Sequence, residues 1–445
     1  MSPLSTPPVV IGAGLTGMVI SDSLSRSKIH HVLLGHPPSA APRLGESLDG
    51  VGSRELIRLF PEFQHFFFQK KHIVGLFGEY VMGIYLEPPP KIHRIANLAL
   101  GIKLDDHLLH VDRMGFDSAL YEHIRASTYC TPMDMQVESL EYDAIHDKIE
   151  YIRLSNGENL APRFVYDCTN HIRLLGKALD IPVQFTSDVQ RVVFTHYQAN
   201  SNDSKFDNGE QWQHATNLLM LCADRDFLDG AAWAIPLGSY VSLGVSMPFR
   251  DNPLEDGEAI ELVLQAFARR GLDIRKLYPH NSKIVAIPRQ QYFNHKRAYG
   301  ANWVLAGTTF GQAWFPTSSG FGAALIAAAL APEFLKRPEI AGPWYENYMR
   351  RITDAHTLFD TLFTNSCENI TRDELQTLVD GLVTNNLERV LRNEQLRNNR
   401  LRRALAKAAT EFVYRSKAGR NWGRIMQVDL HEQMAYVFNQ VWRTW

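Results

Sequence analysis

Residues 10–17 read VIGAGLTG. The apolar run from Pro8 to Ile11 feeds straight into Gly12-Ala13-Gly14-Leu15-Thr16-Gly17, which spells a strand, a tight glycine turn and the start of a helix. Gly12 lets the chain turn, and Gly14 lets a pyrophosphate approach the backbone. Gly17 lets the helix pack closely on the sheet, with the anion held at the helix N-terminus. This turn predicts an α/β fold that opens on a dinucleotide-binding βαβ unit.

Outward from that turn, residues 29–34 (IHHVLL) supply the second strand, followed by a Pro- and Ala-rich loop at 37–42. Residues 53–60 and 61–70 predict helices, 73–85 alternates like β-structure, and 116–127 predicts a helix. Strands are expected at 137–142 and 149–154, with Ser155-Asn156-Gly157 as a hairpin turn after the second. Further strands are expected at 192–198, 217–222, 241–247 and 303–306, and a helix at 259–270. From about residue 342 the pattern is helical. A Rossmann-like unit interrupted by a β-rich unit and followed by a helical region accounts for this order.

The chain has 445 residues, 45% hydrophobic and 21% charged, which suits two or three packed units. A net charge of −2 gives no field that would recruit nucleic acid or a membrane surface. Cys130, Cys168, Cys222 and Cys367 are scattered without a CxxC pair, which argues against a zinc site or disulfide framework and predicts a reducing cytoplasm. Residues 321–331 are apolar but too few to span a bilayer, and the N-terminus lacks a basic segment before an apolar core. His30, His31, His107 and His110 have no ligand-like company, so no metal site is expected.

Five stretches in order give a more specific resemblance. They are the glycine turn, Arg43-Leu44-Gly45-Glu46-Ser47-Leu48, Val111-Asp112-Arg113-Met114-Gly115-Phe116-Asp117 with Leu120, Phe164 to Asn170 with Leu174-Leu175-Gly176, and Leu305-Ala306-Gly307 through Ser318-Ser319-Gly320-Phe321-Gly322. Together they resemble the flavin-dependent halogenase and aromatic monooxygenase superfamily, the geranylgeranyl-reductase-like FAD-binding proteins. The resemblance implies FAD as cofactor, held by Gly12, Gly14, Gly17, Arg43, Glu46, Ser47, Arg113, Gly307, Ser319, Gly320 and Gly322. It implies an FAD-binding domain in three parts (1–72, 107–185 and 296–340), substrate-domain strands at 73–106, a β-rich substrate domain at 186–295 and a helical region at 341–445.

The implied activity is oxygen transfer from reduced flavin and O₂ to an electron-rich aromatic substrate, free, carrier-bound or peptidyl. A single dinucleotide fingerprint implies a separate flavin reductase. Two features point toward halogenation instead. Ala231-Ala232-Trp233-Ala234-Ile235-Pro236 is similar to the family's W-x-W-x-I-P signature, and Lys70 and Lys71 fall near the place of its catalytic lysine. Lys70, Lys71 and Trp233 are therefore the catalytic candidates, against the plainer reading of helix-ending lysines and a core aromatic. Trp233, Phe310, Trp314 and Phe315 are candidate pocket walls.

The departures are specific. The first signature tryptophan is Ala231, and Asn170 replaces a glycine. Gly35-His36 stands where the family carries an acid after the second strand, and Gly307-Thr308 where it carries Gly-Asp. Two carboxylates for ribose hydroxyls are thus absent. Each lost bond costs about 1 kcal/mol, which predicts a loosely held flavin and leaves open an accessory protein without redox turnover. Finally, eleven basic residues from Arg389 to Arg424 stand against only Glu394 and Glu411. They form either a solvated helix face or a docking surface for an acidic partner.

Overall fold

The strand Val9–Ile11 forms because three branched apolar residues in a row suit a position buried on both faces of a parallel sheet. The structure is a computed structural model that describes residues 7–48, 50–70, 72–77, 80–85, 108–199, 215–221, 230–249, 254–269, 271–312 and 319–364. The chain divides into two units. One comprises Met1–Phe66, Asp112–Ser187 and Tyr292–Thr353, the other Phe67–Val111, Asp188–Gln291 and Asp354–Trp445.

The first unit is built on five parallel strands in the order Trp303–Leu305, Val165–Asp167, Val9–Ile11, His31–Leu34 and Cys130–Met133. The helices Leu15–Arg26 and Ser319–Lys336 pack against each other. The second of them is rich in Gly and Ala and buried along most of its length, so its backbone comes close. A hairpin of Val137–Asp143 and Lys148–Leu154 extends the unit. The buried side chain of Asn302 pins it, accepting from the Ile149 N–H at 2.8 Å and donating to the Ile149 carbonyl at 2.9 Å. The helix Pro338–Thr364 is tied to the unit through Tyr345, whose hydroxyl accepts from Gly307 N at 2.7 Å and donates to the Leu305 carbonyl at 3.1 Å. This is the parallel Rossmann-like core that the glycine turn predicts.

The second unit is an eight-stranded, mostly antiparallel sheet centred on Gln190–Gln198, Tyr240–Pro248, Gly230–Pro236 and Ala215–Leu221. The helix Asp256–Arg269 lies on it through Ile260, Val263, Leu264 and Phe267, one face at helical spacing.

Residues 61–70 correct the sequence expectation. Pro61–Phe66 is a 3₁₀ helix, and Phe67–Lys70 is a strand paired antiparallel with Leu108–Val111. The run Phe66-Phe67-Phe68 suits a pleated surface better than a helix, and the partner strand is distant in sequence. The expected β-structure at 73–85 is a hairpin of His72–Phe77 and Tyr80–Tyr85. Among the described residues no helix is long and apolar enough to cross a membrane.

Candidate functional site

The fingerprint turn sits at the C-terminal edge of the parallel sheet. Gly12 has φ +107°, and a Cβ there would lie 2.7 Å from the Cys168 carbonyl oxygen. A Cβ on Gly17 would lie 1.8 Å from the Gly12 oxygen. These two glycines are required by packing. Gly14 differs, because it has extended backbone (φ −77°, ψ −178°) and a Cβ there would meet nothing within 4 Å. It caps the helix Leu15–Arg26 with no side-chain hydrogen bond, and no acid lies in the first turn. The result is an open helix N-terminus with free backbone donors, the physical requirement for an anion. A pyrophosphate fits this cradle.

The loop with Arg43, Glu46 and Ser47 is held by the helix Arg113–Arg125. Arg113 is almost buried and grips Asp117 with Nε and Nη2, both at 2.9 Å. Its Nη1 donates to the Leu44 carbonyl at 3.0 Å, and Arg43 reaches the same Asp117 at 3.2 Å. Burial opposes the charge on Arg113, and the Asp117 carboxylate more than restores it, so its pKa lies above the ordinary value. Arg113 therefore braces the Leu44–Gly45 backbone through its own side chain. Glu46 and Ser47 are buried, at 2% and 8% exposure.

The second glycine segment lies two strands away. Gly307 faces Thr16 and Ala324, so it is the point where the two large helices meet the sheet edge. Thr308 lies against Gly320, a Cβ on which would sit 3.3 Å from the threonine methyl. Ser319 and Gly320 open the helix Ser319–Lys336, and Gly322 is buried in its first turn. Phe310 is fully buried beneath the Arg350 guanidinium, which makes it a core side chain. Trp314, Phe315 and Ser318 lie outside the described residues, as do Lys71, the basic segment 389–424, Cys222 and Cys367.

The structure also explains Asn170. Its φ is +56°, left-handed backbone where Asn is the best substitute for glycine, and its N–H donates to the Thr309 hydroxyl at 2.8 Å. Asp167 is fully buried, and burial raises its carboxyl above the usual range while its hydrogen bonds pull it back. It accepts from Thr169 N (2.9 Å), Thr169 Oγ1 (2.6 Å) and Leu175 N (2.7 Å), which makes it a structural cap.

The remaining candidates belong to the second unit. Lys70 ends the strand Phe67–Lys70, opposite Leu108. Trp233 is 3% exposed, donates to the Ser242 hydroxyl at 3.3 Å and packs its ring on Gly244. Polar contacts also lie outside the candidate set. His110 bonds Thr216 Oγ1 at 2.8 Å within the second unit, and His36, Asp134 and Gln136 cluster at the edge of the parallel sheet. Among the described residues no group of three His, Cys, Asp or Glu side chains could hold a metal.

No protein-family model matches the chain, and no curated protein matches its sequence. Solved structures match its fold. A single-residue variant of the halogenase PltM, in complex with FAD, aligns with TM-score 0.65 and 14% identity over 98% of this chain and 95% of its own. PqsL of Pseudomonas aeruginosa, solved with 2-aminobenzoylacetate, aligns with TM-score 0.62 and 16% identity over 82% of this chain and 97% of its own. The flavin-dependent halogenase CmlS aligns with TM-score 0.62 and 17% identity over 84% of this chain and 72% of its own. The chain thus shares the fold of flavin-dependent halogenases and FAD-dependent monooxygenases.

Proposed function

We propose that this chain is a FAD-dependent enzyme that uses reduced flavin and O₂ to hydroxylate an electron-rich aromatic substrate. The observation that carries this reading is the uncapped helix N-terminus at Gly14, open at the edge of a five-stranded parallel sheet. When bound, reduced FAD supplies the two electrons that let one atom of O₂ enter an aromatic C–H bond while the other leaves as water. The chain's own residues bind and orient. Gly14 and the first turn of the helix Leu15–Arg26 offer backbone donors to the pyrophosphate, and Gly12 and Gly17 let the turn close tightly behind them. Arg113 and Asp117 fix the loop that carries Glu46 and Ser47. The helix opened by Ser319 and Gly320 presents a second positive N-terminus.

The likeness to PqsL, solved with 2-aminobenzoylacetate, supports an aromatic small-molecule substrate. The single fingerprint supports electrons arriving from a separate reductase. The buried free thiols Cys130 and Cys168 support a reducing, cytoplasmic setting. Halogenation is the second reading, favoured by the halogenase neighbours and by Lys70 at a strand end. Ala231 in place of the first signature tryptophan favours hydroxylation.

The test begins with a visible spectrum after FAD loading and desalting, then a calorimetric titration. Turnover follows with a flavin reductase, an aromatic substrate panel and added chloride or bromide, for the wild type and Lys70→Ala. Hydroxylated product from both proteins supports the proposal. Halogenated product lost in Lys70→Ala favours the second reading. Absence of any FAD binding overturns both and leaves an accessory protein.

A further inference from the structure

The acid missing after the second strand has a replacement on a neighbouring strand. His31–Leu34 and Cys130–Met133 are parallel neighbours, and Leu34 is in register with Met133. Whatever follows each strand therefore emerges at the same edge of the sheet. Gly35 N–H donates to the Met133 carbonyl at 3.1 Å, and Gly12 N–H to the Leu34 carbonyl at 2.7 Å, so this edge is continuous with the fingerprint turn. Gly35 has φ +138°, and a Cβ there would lie 2.7 Å from Ala13 N. The second strand thus ends directly against the phosphate cradle with no room for a side chain.

The acid comes one strand further on. Met135 N–H closes on the Met133 carbonyl at 2.9 Å, which makes Asp134 the tip of a three-residue turn. The Gln136 amide meets His36 Nε2 at 3.0 Å, and His36 Nδ1 meets the Asp134 carboxylate. With the amide donating to Nε2, the imidazole keeps its proton on Nδ1 and donates it to Asp134. The Gln136 backbone is itself anchored, its N–H donating to the Ser155 hydroxyl at 3.3 Å and its carbonyl accepting from Ser155 N–H at 2.9 Å. One carboxylate oxygen is committed to His36. The other is left to accept from a ligand, and the Asp134 side chain remains 60% exposed.

We propose that Asp134, oriented by His36 and Gln136, is the binding residue for the ribose hydroxyls of the adenosine half of FAD. It takes the place of the acid absent at position 36. This inference rests on the FAD reading above.

The experiment titrates FAD and FMN by flavin fluorescence into the wild type, Asp134→Ala and His36→Ala. ADP and 2′,3′-dideoxy-ADP then compete for bound FAD. All three proteins are first matched by circular dichroism and thermal melting, which exposed substitutions leave unchanged. The expected result for Asp134→Ala is FAD binding weakened about tenfold or more, with FMN, which lacks adenosine, unaffected. The wild type favours ADP over the dideoxy analogue, and Asp134→Ala binds the two alike. His36→Ala shows a smaller loss of the same kind, as a positioning residue should. Equal FAD affinity in wild type and Asp134→Ala, or discrimination between the ADP analogues that survives in Asp134→Ala, overturns the proposal and leaves the FAD reading standing. No FAD binding by the wild type overturns both.

Discussion

Two neighbouring strands of one sheet, Val9–Ile11 and Val165–Asp167, each end in a turn that leads into a helix, and the turns are finished in opposite ways. After Val165–Asp167 the donors are consumed internally. Asp167 takes Leu175 N–H and Thr169 N–H, and the Thr169 hydroxyl takes Leu174 N–H at 3.0 Å. After Val9–Ile11 the helix begins at Gly14 with no side-chain cap and open space before it. The lesson is where a ligand belongs. A helix start that already holds its own carboxylate has nothing to offer an anion, whereas an uncapped one beside it does.

The largest expected effect breaks the first turn. Gly17→Ala drives a methyl into the Gly12 carbonyl and should cost roughly 3 kcal/mol or more, read as lost soluble yield or a collapsed urea midpoint. If the variant melts like the wild type, the tight-packing account of this turn is wrong.

The second turn is tested with acid. The helix Leu174–Ala178 rests on His295, whose ring fills the space beside Gly176, and burial pushes that imidazole down to about 4 from 6.5. The unfolded chain takes up a proton near pH 6.5, and the folded chain does so only near pH 4. Stability should therefore fall by about 3 kcal/mol as pH drops through that window, then level off. His295→Gln should flatten the fall in urea melts at about pH 7 and 4.5. An unchanged slope would show that His295 is not the group responsible.

Gly14→Asp sharpens the comparison most directly. The new Cβ meets nothing within 4 Å and the backbone is ordinary, so stability should stay within about 0.5 kcal/mol. A carboxylate placed in the anion cradle should weaken FAD binding roughly a hundredfold. Normal FAD affinity in this variant would remove the phosphate site from Gly14.

The smallest effect concerns Asn170. Replacing it with Gly in its left-handed conformation should shift stability by less than about 0.5 kcal/mol, while Asn170→Val should lose about 1 to 2 kcal/mol. Paired thermal melts separate the two outcomes.

The glycine turn was legible because its chemistry is local: each glycine is needed within six residues of the others. The helix Asp256–Arg269 and the hairpin at Ser155-Asn156-Gly157 were legible for the same reason. Residues 67–70 were not, because a strand is stabilised by its partner, and that partner is Leu108–Val111. The role of Arg113 was only half legible. The motif marks it as a site residue, but its grip on Asp117 and the Leu44 carbonyl appears only when the loop and helix are brought together.

The parallel α/β core, the place of the glycine turn and the resemblance to flavin enzymes were all written in the sequence alone. Glycine spacing and apolar runs act over a few residues and need no partner. Tertiary packing alone makes Gly14 open where Gly12 and Gly17 are closed, makes Asp167 a cap, and brings Asp134 to the sheet edge beside Gly35 and His36. Those outcomes depend on strand order and register, which bring residues 36 and 134 side by side although 98 positions separate them in the chain.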